Sequence, residues 1–335
     1  MDKKFIREVI KRFKGKKILI IGDLMIDHYI WGGVERISPE APVPVVDVKG
    51  EEYRLGGAAN VVSNIKSLGA DPYFIGLVGN DENGKILKNL FIEKGINPDN
   101  IIADSSRRTT IKTRILAHKQ QIVRIDTEDR HFVDYETENL VIERLESLIS
   151  NTDAVILEDY NKGILSKRII KHVIARCNEL KIPVTVDPKF NNFFEYENVT
   201  VFKPNLHELE KNTGLKITDN KQFIEVSCDL MSKIRAEYLL ITQGEKGLTV
   251  FSDENEPYTI PAFALEVFDV SGAGDSVIGT LTLCLVSGCD IKESALIANH
   301  AAGAVCGVAG ISPVTPEMII DSFENSKKNK GCDSD

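Results

Sequence analysis

The sequence has no closely paired cysteines, no long apolar run and no excess of basic charge. Its six cysteines, at 177, 228, 284, 289, 306 and 332, never form a C-x-x-C pair, so zinc ribbons and dithiol redox motifs are unsupported. Cys177, Cys284 and Cys306 fall in apolar helical stretches as packed thiols, which points to a reduced, cytoplasmic setting. No apolar run reaches the ~18 residues of a spanning helix. The amino-terminal KKFIREVIKRFKGKK lacks the continuous apolar core of a signal peptide. Phe5, Ile6, Val9, Ile10 and Phe13 share one helical face there, predicting a surface helix that feeds the first strand. A net charge of −9 leaves no general basic footprint for nucleic acid or a membrane. An anionic ligand must therefore be held by local basic side chains and helix N-termini. Two nucleotide motifs are also missing. There is no G-x-x-x-x-G-K-[ST], and Gly272-x-Gly274 is followed by Val277 where a dinucleotide fingerprint needs its third glycine.

What is present is an alternation. Branched apolar runs at 18–21, 73–78, 154–157, 184–186, 199–202 and 238–242 alternate with helix patterns near 58–68, 82–94, 136–150, 166–180, 220–235, 275–287 and 292–308. This predicts an α/β fold, a mainly parallel sheet with helices on both faces, with ligands at the carboxyl ends of the strands. At 335 residues one such domain or two would fit. No repeat or linker favours two, so we expect one domain over 1–325 and a polar tail over 326–335. Two extended, β-branched stretches, 43–48 and 109–125, have no helix to pair with. They predict a small β lid formed by about 30–55 and 107–130, or else an extension of the main sheet. An exposed apolar face on such a lid would suit a homodimer.

The most informative run is DVSGAGDSVIG at 269–279. Gly272, Ala273 and Gly274 open a helix whose unpaired N–H groups suit an anion. Asp275 on its first turn either stabilises the helix dipole or takes a proton from a nucleophile attacking a phosphate there. Asp23 and Asp27 in GDLMID follow the first strand and suit sugar hydroxyls or form a turn. Gly56 and Gly57 precede a helix, with Asn60 on its first turn. Asn205 and Glu208 in KPNLHELE share a helix face, as water-mediated magnesium ligands or as a helix capping box. TQGEKG at 242–247 suits backbone contact with a nucleotide or a tight turn, and DPK at 187–189 ends a strand with one acid and one base.

Together these residues resemble the ribokinase-like (PfkB-type) carbohydrate kinases over nearly the whole chain. The resemblance is carried by the GG..N stretch at 56–60, N-x-x-E at 205–208 and DVSGAGD at 269–275, with Val62 and Thr280 as slight departures. Within that family RISPEAPVPVVDV at 36–48, RLGGAANV at 54–61, KTRILAHKQQIVRID at 112–126 and LEDYNKG at 157–163 resemble the D-glycero-β-D-manno-heptose 7-phosphate 1-kinases of bacterial heptose biosynthesis. The resemblance implies ATP as co-substrate and Mg²⁺. It implies Asp275 as general base, an anion hole at Gly272, Ala273 and Gly274, and Mg²⁺ ordered by Asn205 and Glu208. Thr242, Gly244, Lys203 and Asn299 would serve the nucleotide; Asp23, Asp27, Gly56, Gly57 and Asn60 the sugar. Arg36, Lys162, Lys189 and Lys203 are candidates for the sugar's own phosphate, and Asp269 and Ser271 match part of a monovalent cation site for K⁺. Related kinases of the family act on fructose 6-phosphate, ribose or keto-sugar acids, and a non-catalytic sugar or nucleotide sensor is a further alternative. The implied product would pass to a separate adenylyltransferase and phosphatase.

Overall fold

The computed structural model describes residues 3–117, 120–253, 255–263, 267–308 and 310–332. In chain order the strands are β1 (Lys17–Gly22), β2 (Leu24–Ile37), β3 (Pro44–Gly57), β4 (Asp71–Gly79), β5 (Ile101–Asp104), β6 (Ile111–Ala117), β7 (Gln120–Thr127), β8 (Ala154–Glu158), β9 (Val184–Asp187), β10 (Val201–Phe202), β11 (Tyr238–Thr242), β12 (Leu248–Ser252) and β13 (Asn255–Ile260). The helices are α1 (Lys3–Lys11), α2 (Ala58–Ser67), α3 (Glu82–Glu93), α4 (Tyr135–Leu148), α5 (Lys167–Leu180), α6 (Leu206–Thr213), α7 (Asn220–Ile234), α8 (Ala273–Val286), α9 (Ile291–Cys306) and α10 (Pro316–Cys332).

Nine strands form one sheet in the order β13-β12-β11-β10-β9-β8-β1-β4-β5. Pairing from β5 to β11 is parallel, and β12 and β13 close the edge antiparallel. Side chains alternate across a strand, so β1 sends Ile18 and Ile20 into one core with α2, α8 and α9. It sends Leu19 and Ile21 into the other with α4, α5 and α7. This is the expected three-layer α/β architecture. Helix starts are set by side-chain caps: Asp134, Ser166, Asp219 and Asp290 each accept an N–H from the first turn of the adjoining helix.

A separate four-stranded sheet, β3-β2-β6-β7, forms the lid. It reaches further into the chain than 30–55, because Leu24–Ile37 is one 14-residue strand. Asp23 therefore sits at the junction of body and lid, and Asp27 lies inside a lid strand rather than in a turn. The lid leaves Val48, Ile122, Val123 and Ile125 exposed. At the other end, α10 runs to Cys332, so helical backbone continues through most of the stretch expected as a tail. Residues 333–335 lie outside the described residues.

Candidate active site

The parallel sheet delivers the site as a row. Glu158 ends β8, Asp187 ends β9, Lys203 follows β10 and Thr242 ends β11. Facing them, Gly272 (φ +79) makes the turn that lets α8 begin at Ala273. A Cβ on Gly272 would lie 2.7 Å from Asn60 Nδ2, so only glycine permits this approach. Asp269 Oδ1 accepts the Ser271 N–H at 2.8 Å and fixes the turn from the other side.

Asp275 follows on the first helical turn and is 2% exposed. Its Oδ2 accepts from Asn60 Nδ2 at 2.7 Å, and its Oδ1 accepts from the Tyr160 hydroxyl at 2.7 Å. Burial pushes the carboxyl up to about 6, against the pull of those two hydrogen bonds. The result is a carboxylate at neutral pH with a raised proton affinity, which suits a general base.

Glu158, Asp187 and Asp275 bring carboxylate oxygens within 4.8 Å of one another. Lys203 Nζ pairs with Asp187 at 2.6 Å, both side chains buried. Glu158 is fully buried, and neither of its oxygens has a hydrogen-bond partner. Burial, and then the neighbouring Asp187 and Asp275, raise its proton affinity well above the ordinary carboxylate range. Orphaned hard oxygens beside a second carboxylate fit Mg²⁺. Glu158 supplies the orphaned pair, and Asp187, whose Oδ2 pairs with Lys203, is the carboxylate beside it.

Asn205 and Glu208 form a reciprocal capping box at the start of α6, each side chain bonded to the other's backbone N–H at 2.8 Å. The second Glu208 oxygen pairs with Lys189. Burial works against charge on Lys189, yet the Asp187 and Glu208 carboxylates hold its ammonium above the ordinary lysine range. Asn205, Thr242, Gly244, Gly274 and Asn299 line a cavity of about 630 Å³ beside the glycine turn. Asn299 donates there to the Pro261 carbonyl at 2.7 Å.

The expected sugar residues divide into two groups. Asn60, Gly56, Gly57 and Asp27 cluster at the base of the lid: a Cβ on Gly56 would lie 2.0 Å from Asp27 Oδ2. Asp27 is paired with buried Arg114, whose guanidinium lies 5.4 Å from the Tyr29 ring centre. Asp23 spends its oxygens on backbone, accepting from Tyr160, Lys162 and Ile164 N–H groups. Of the phosphate candidates, Lys162 Nζ pairs with Glu128 at 2.8 Å, while Lys189 and Lys203 are paired as above. Arg36 is exposed near the far end of β2, opposite Val45 and nine residues beyond Asp27. That is about 30 Å of extended chain, so within one subunit it is not gathered with the others.

Three residues that sequence reasoning did not single out are central here: Glu158, Tyr160 and Arg114. The only signals were LEDYNKG at the end of a strand and the alternation of Lys112, Arg114 and Leu116 with Ile111, Thr113 and Ile115 along β6.

Comparison with known proteins agrees with this geometry. The pfkB family carbohydrate kinase profile matches residues 15–318. The bifunctional protein HldE of Pelobacter propionicus is 42% identical over 96% of this chain and 66% of its own length. HldE of Geobacter sulfurreducens is 40% identical over 96% of this chain and 66% of its own. The chain thus spans about two thirds of the length of these relatives. Among solved structures, Arabidopsis thaliana ribokinase complexed with ribose and ATP superposes with a TM-score of 0.72 at 19% identity, covering 92% of this chain and 99% of that one. Phosphofructokinase-2 from Escherichia coli in complex with potassium gives 0.75 at 17% identity, covering 93% and 99%. At such identities these two establish the fold.

Proposed function

The chain belongs to the pfkB family of carbohydrate kinases, and from that premise we propose that it phosphorylates D-glycero-β-D-manno-heptose 7-phosphate at its anomeric hydroxyl, giving the 1,7-bisphosphate. That it is an ATP-dependent sugar kinase follows from the family; the heptose phosphate rests on the similarity to HldE proteins and on the lid sequences at 36–48 and 112–126. The observation that carries the reading is Asp275, a buried carboxylate of raised proton affinity on the first turn of a helix opened by glycines.

In this reading Asp275 accepts the anomeric proton as the hydroxyl oxygen attacks the γ-phosphorus of ATP, and the bond from that phosphorus to the bridging oxygen breaks to release ADP. The amides at Gly272, Ala273 and Gly274 hold the charge that gathers on the transferring group. Lys203 stands beside Gly274, its Nζ 3.5 Å from where a Cβ would be, placed to neutralise the same charge. Mg²⁺, when bound, supplies charge neutralisation on the phosphates. Glu158 and Asp187 would hold it, with Asn205 and Glu208 through water. Asp269 and Ser271 would contribute to a K⁺ site beside the turn. The cavity lined by Thr242 and Asn299 takes the adenosine part. Gly56, Gly57, Asn60 and Asp27 face the sugar, and Asp23 holds the loop above it. Lys162 and Arg36 serve the distal phosphate, Arg36 from the lid of a second copy. That copy also covers the apolar lid residues, so the working form is a homodimer in the cytoplasm.

The test is ADP release with MgATP against D-glycero-D-manno-heptose 7-phosphate, fructose 6-phosphate, ribose and no sugar, with phosphorus NMR on the product. Turnover confined to the heptose phosphate, with a new anomeric phosphate, is expected. Silence there with turnover of another sugar overturns the substrate and leaves the kinase chemistry. ATP binding with no sugar-dependent turnover at all would favour a sensor.

A further inference from the structure

We propose that Tyr160 is a positioning residue for Asp275, holding the carboxylate in the one orientation from which it can take a proton from a sugar hydroxyl. The inference rests on the reading of Asp275 as the base. A carboxylate can turn about its Cβ–Cγ bond, and a base that turns presents no fixed lone pair. Here each oxygen has its own donor, Asn60 Nδ2 on Oδ2 and the Tyr160 hydroxyl on Oδ1, both at 2.7 Å. Each oxygen keeps a further lone pair, so neither bond blocks a substrate hydroxyl.

The hydroxyl can do this because its loop is tied down at many points. Tyr160 N–H donates to Asp23 at 2.8 Å, and Lys162 and Ile164 N–H groups donate to the same carboxylate. Asp159 accepts from the Tyr196 hydroxyl and from Asn161 N–H, both at 2.7 Å. Arg107 donates to the Lys162 carbonyl at 2.7 Å. Gly163 (φ +101) runs so close to the His131 carbonyl that a Cβ would lie 2.0 Å from it. The Lys189 ammonium lies 5.3 Å from the Tyr160 ring centre. Glu158, Asp187 and Lys203 are the other charged groups facing Asp275. None of them takes part in the hydrogen bonds that orient it. Asp23 thus acts at one remove: it anchors the loop, the loop places Tyr160, and Tyr160 orients Asp275.

The test is Tyr160→Phe, which keeps the ring and removes the hydroxyl. With MgATP and the sugar that the native enzyme phosphorylates, kcat should fall about 10- to 100-fold, the worth of a hydrogen bond to a charged group. KM for ATP and for the sugar should stay within about twofold. A kcat within twofold of native overturns the proposal. So does a rise of both KM values in step with the loss, which would mark general loosening of the loop. A crystal structure of the variant gives a readout that needs no substrate. The Asp275 carboxylate should be rotated away from its native orientation, and an unchanged carboxylate overturns the proposal even if no sugar of the panel is turned over by the native enzyme.

Discussion

Replacing Asp275 by asparagine should make the protein inactive and, at alkaline pH, more stable. Burial raises the carboxyl from its ordinary 3.8 to about 6. A group whose proton affinity is higher in the folded state favours folding while protonated. That contribution is fully present at low pH and is lost as pH rises through about 6. The shift of about two units corresponds to about 3 kcal/mol of penalty for the ionised carboxylate once pH is well above 6. Roughly 1.4 kcal/mol of this accrues between pH 5 and pH 8. Asparagine carries no charge and escapes it. For a chain of this length about 1 kcal/mol moves Tm by roughly 1.5 °C. The Tm of Asp275→Asn minus that of the native protein should therefore rise by about 2 °C from pH 5 to pH 8, by differential scanning fluorimetry in matched buffers. Turnover of the same variant should fall ~10²–10⁴-fold. The native kcat/KM should drop about tenfold per pH unit below 6, because the base must be ionised. A Tm difference that is flat or shrinks towards pH 8 would refute the argument that burial holds this carboxyl up. Near-normal turnover would remove Asp275 from the chemistry.

Gly272→Ala meets both a left-handed backbone and a Cβ 2.7 Å from Asn60 Nδ2, so it should cost about 1–2 kcal/mol of stability and more than tenfold in kcat; unchanged steady-state rates would count against the glycine turn. Arg114→Ala leaves the buried Asp27 carboxylate without its partner and should cost about 3–5 kcal/mol in urea unfolding, with Asp27→Asn added in the same chain restoring part of it. A double variant no better than the single would show that the pair is not what matters. Val123→Glu places a charge on the exposed lid face and should shift the protein from dimer to monomer in light scattering. A native protein that is already monomeric at micromolar concentration would remove the lid as the interface.

Much of the body could be read from local pattern. Strands such as Ala154–Glu158 are short branched runs between amphipathic helices, and their partners follow from the parallel-sheet rule. Strand β2 escaped because its first six residues are buried on both sides, so no alternation shows, and Gly32 and Gly33 interrupt the pattern in its second half. The capping box at Asn205 and Glu208 shows the limit of spacing as a guide. One three-residue interval serves a helix start and a metal site alike, and in this structure Asn205 Oδ1 and Glu208 Oε2 form the helix start.

The glycine turn and Asp275 were legible because their chemistry is local, a backbone conformation and a helix end in consecutive residues. Tyr160 and Glu158 were not, and Asp187 showed only as the acid of DPK at a strand end, because their joint chemistry exists only where three strand ends meet one helix. Their positions are set by the register of β8 and β9, which pairs Glu158 with Asp187 directly. Two acids side by side at strand ends would repel each other in an isolated pair of strands. They are tolerated here because Lys203 reaches in from the next strand, and Glu158 is left with no hydrogen-bond partner. An uncompensated buried carboxyl of this kind lowers the stability of the resting fold. That stability is returned only when something cationic or hydrogen-donating arrives, so the cost of burying Glu158 is itself a measure of how strongly the site is built to be filled.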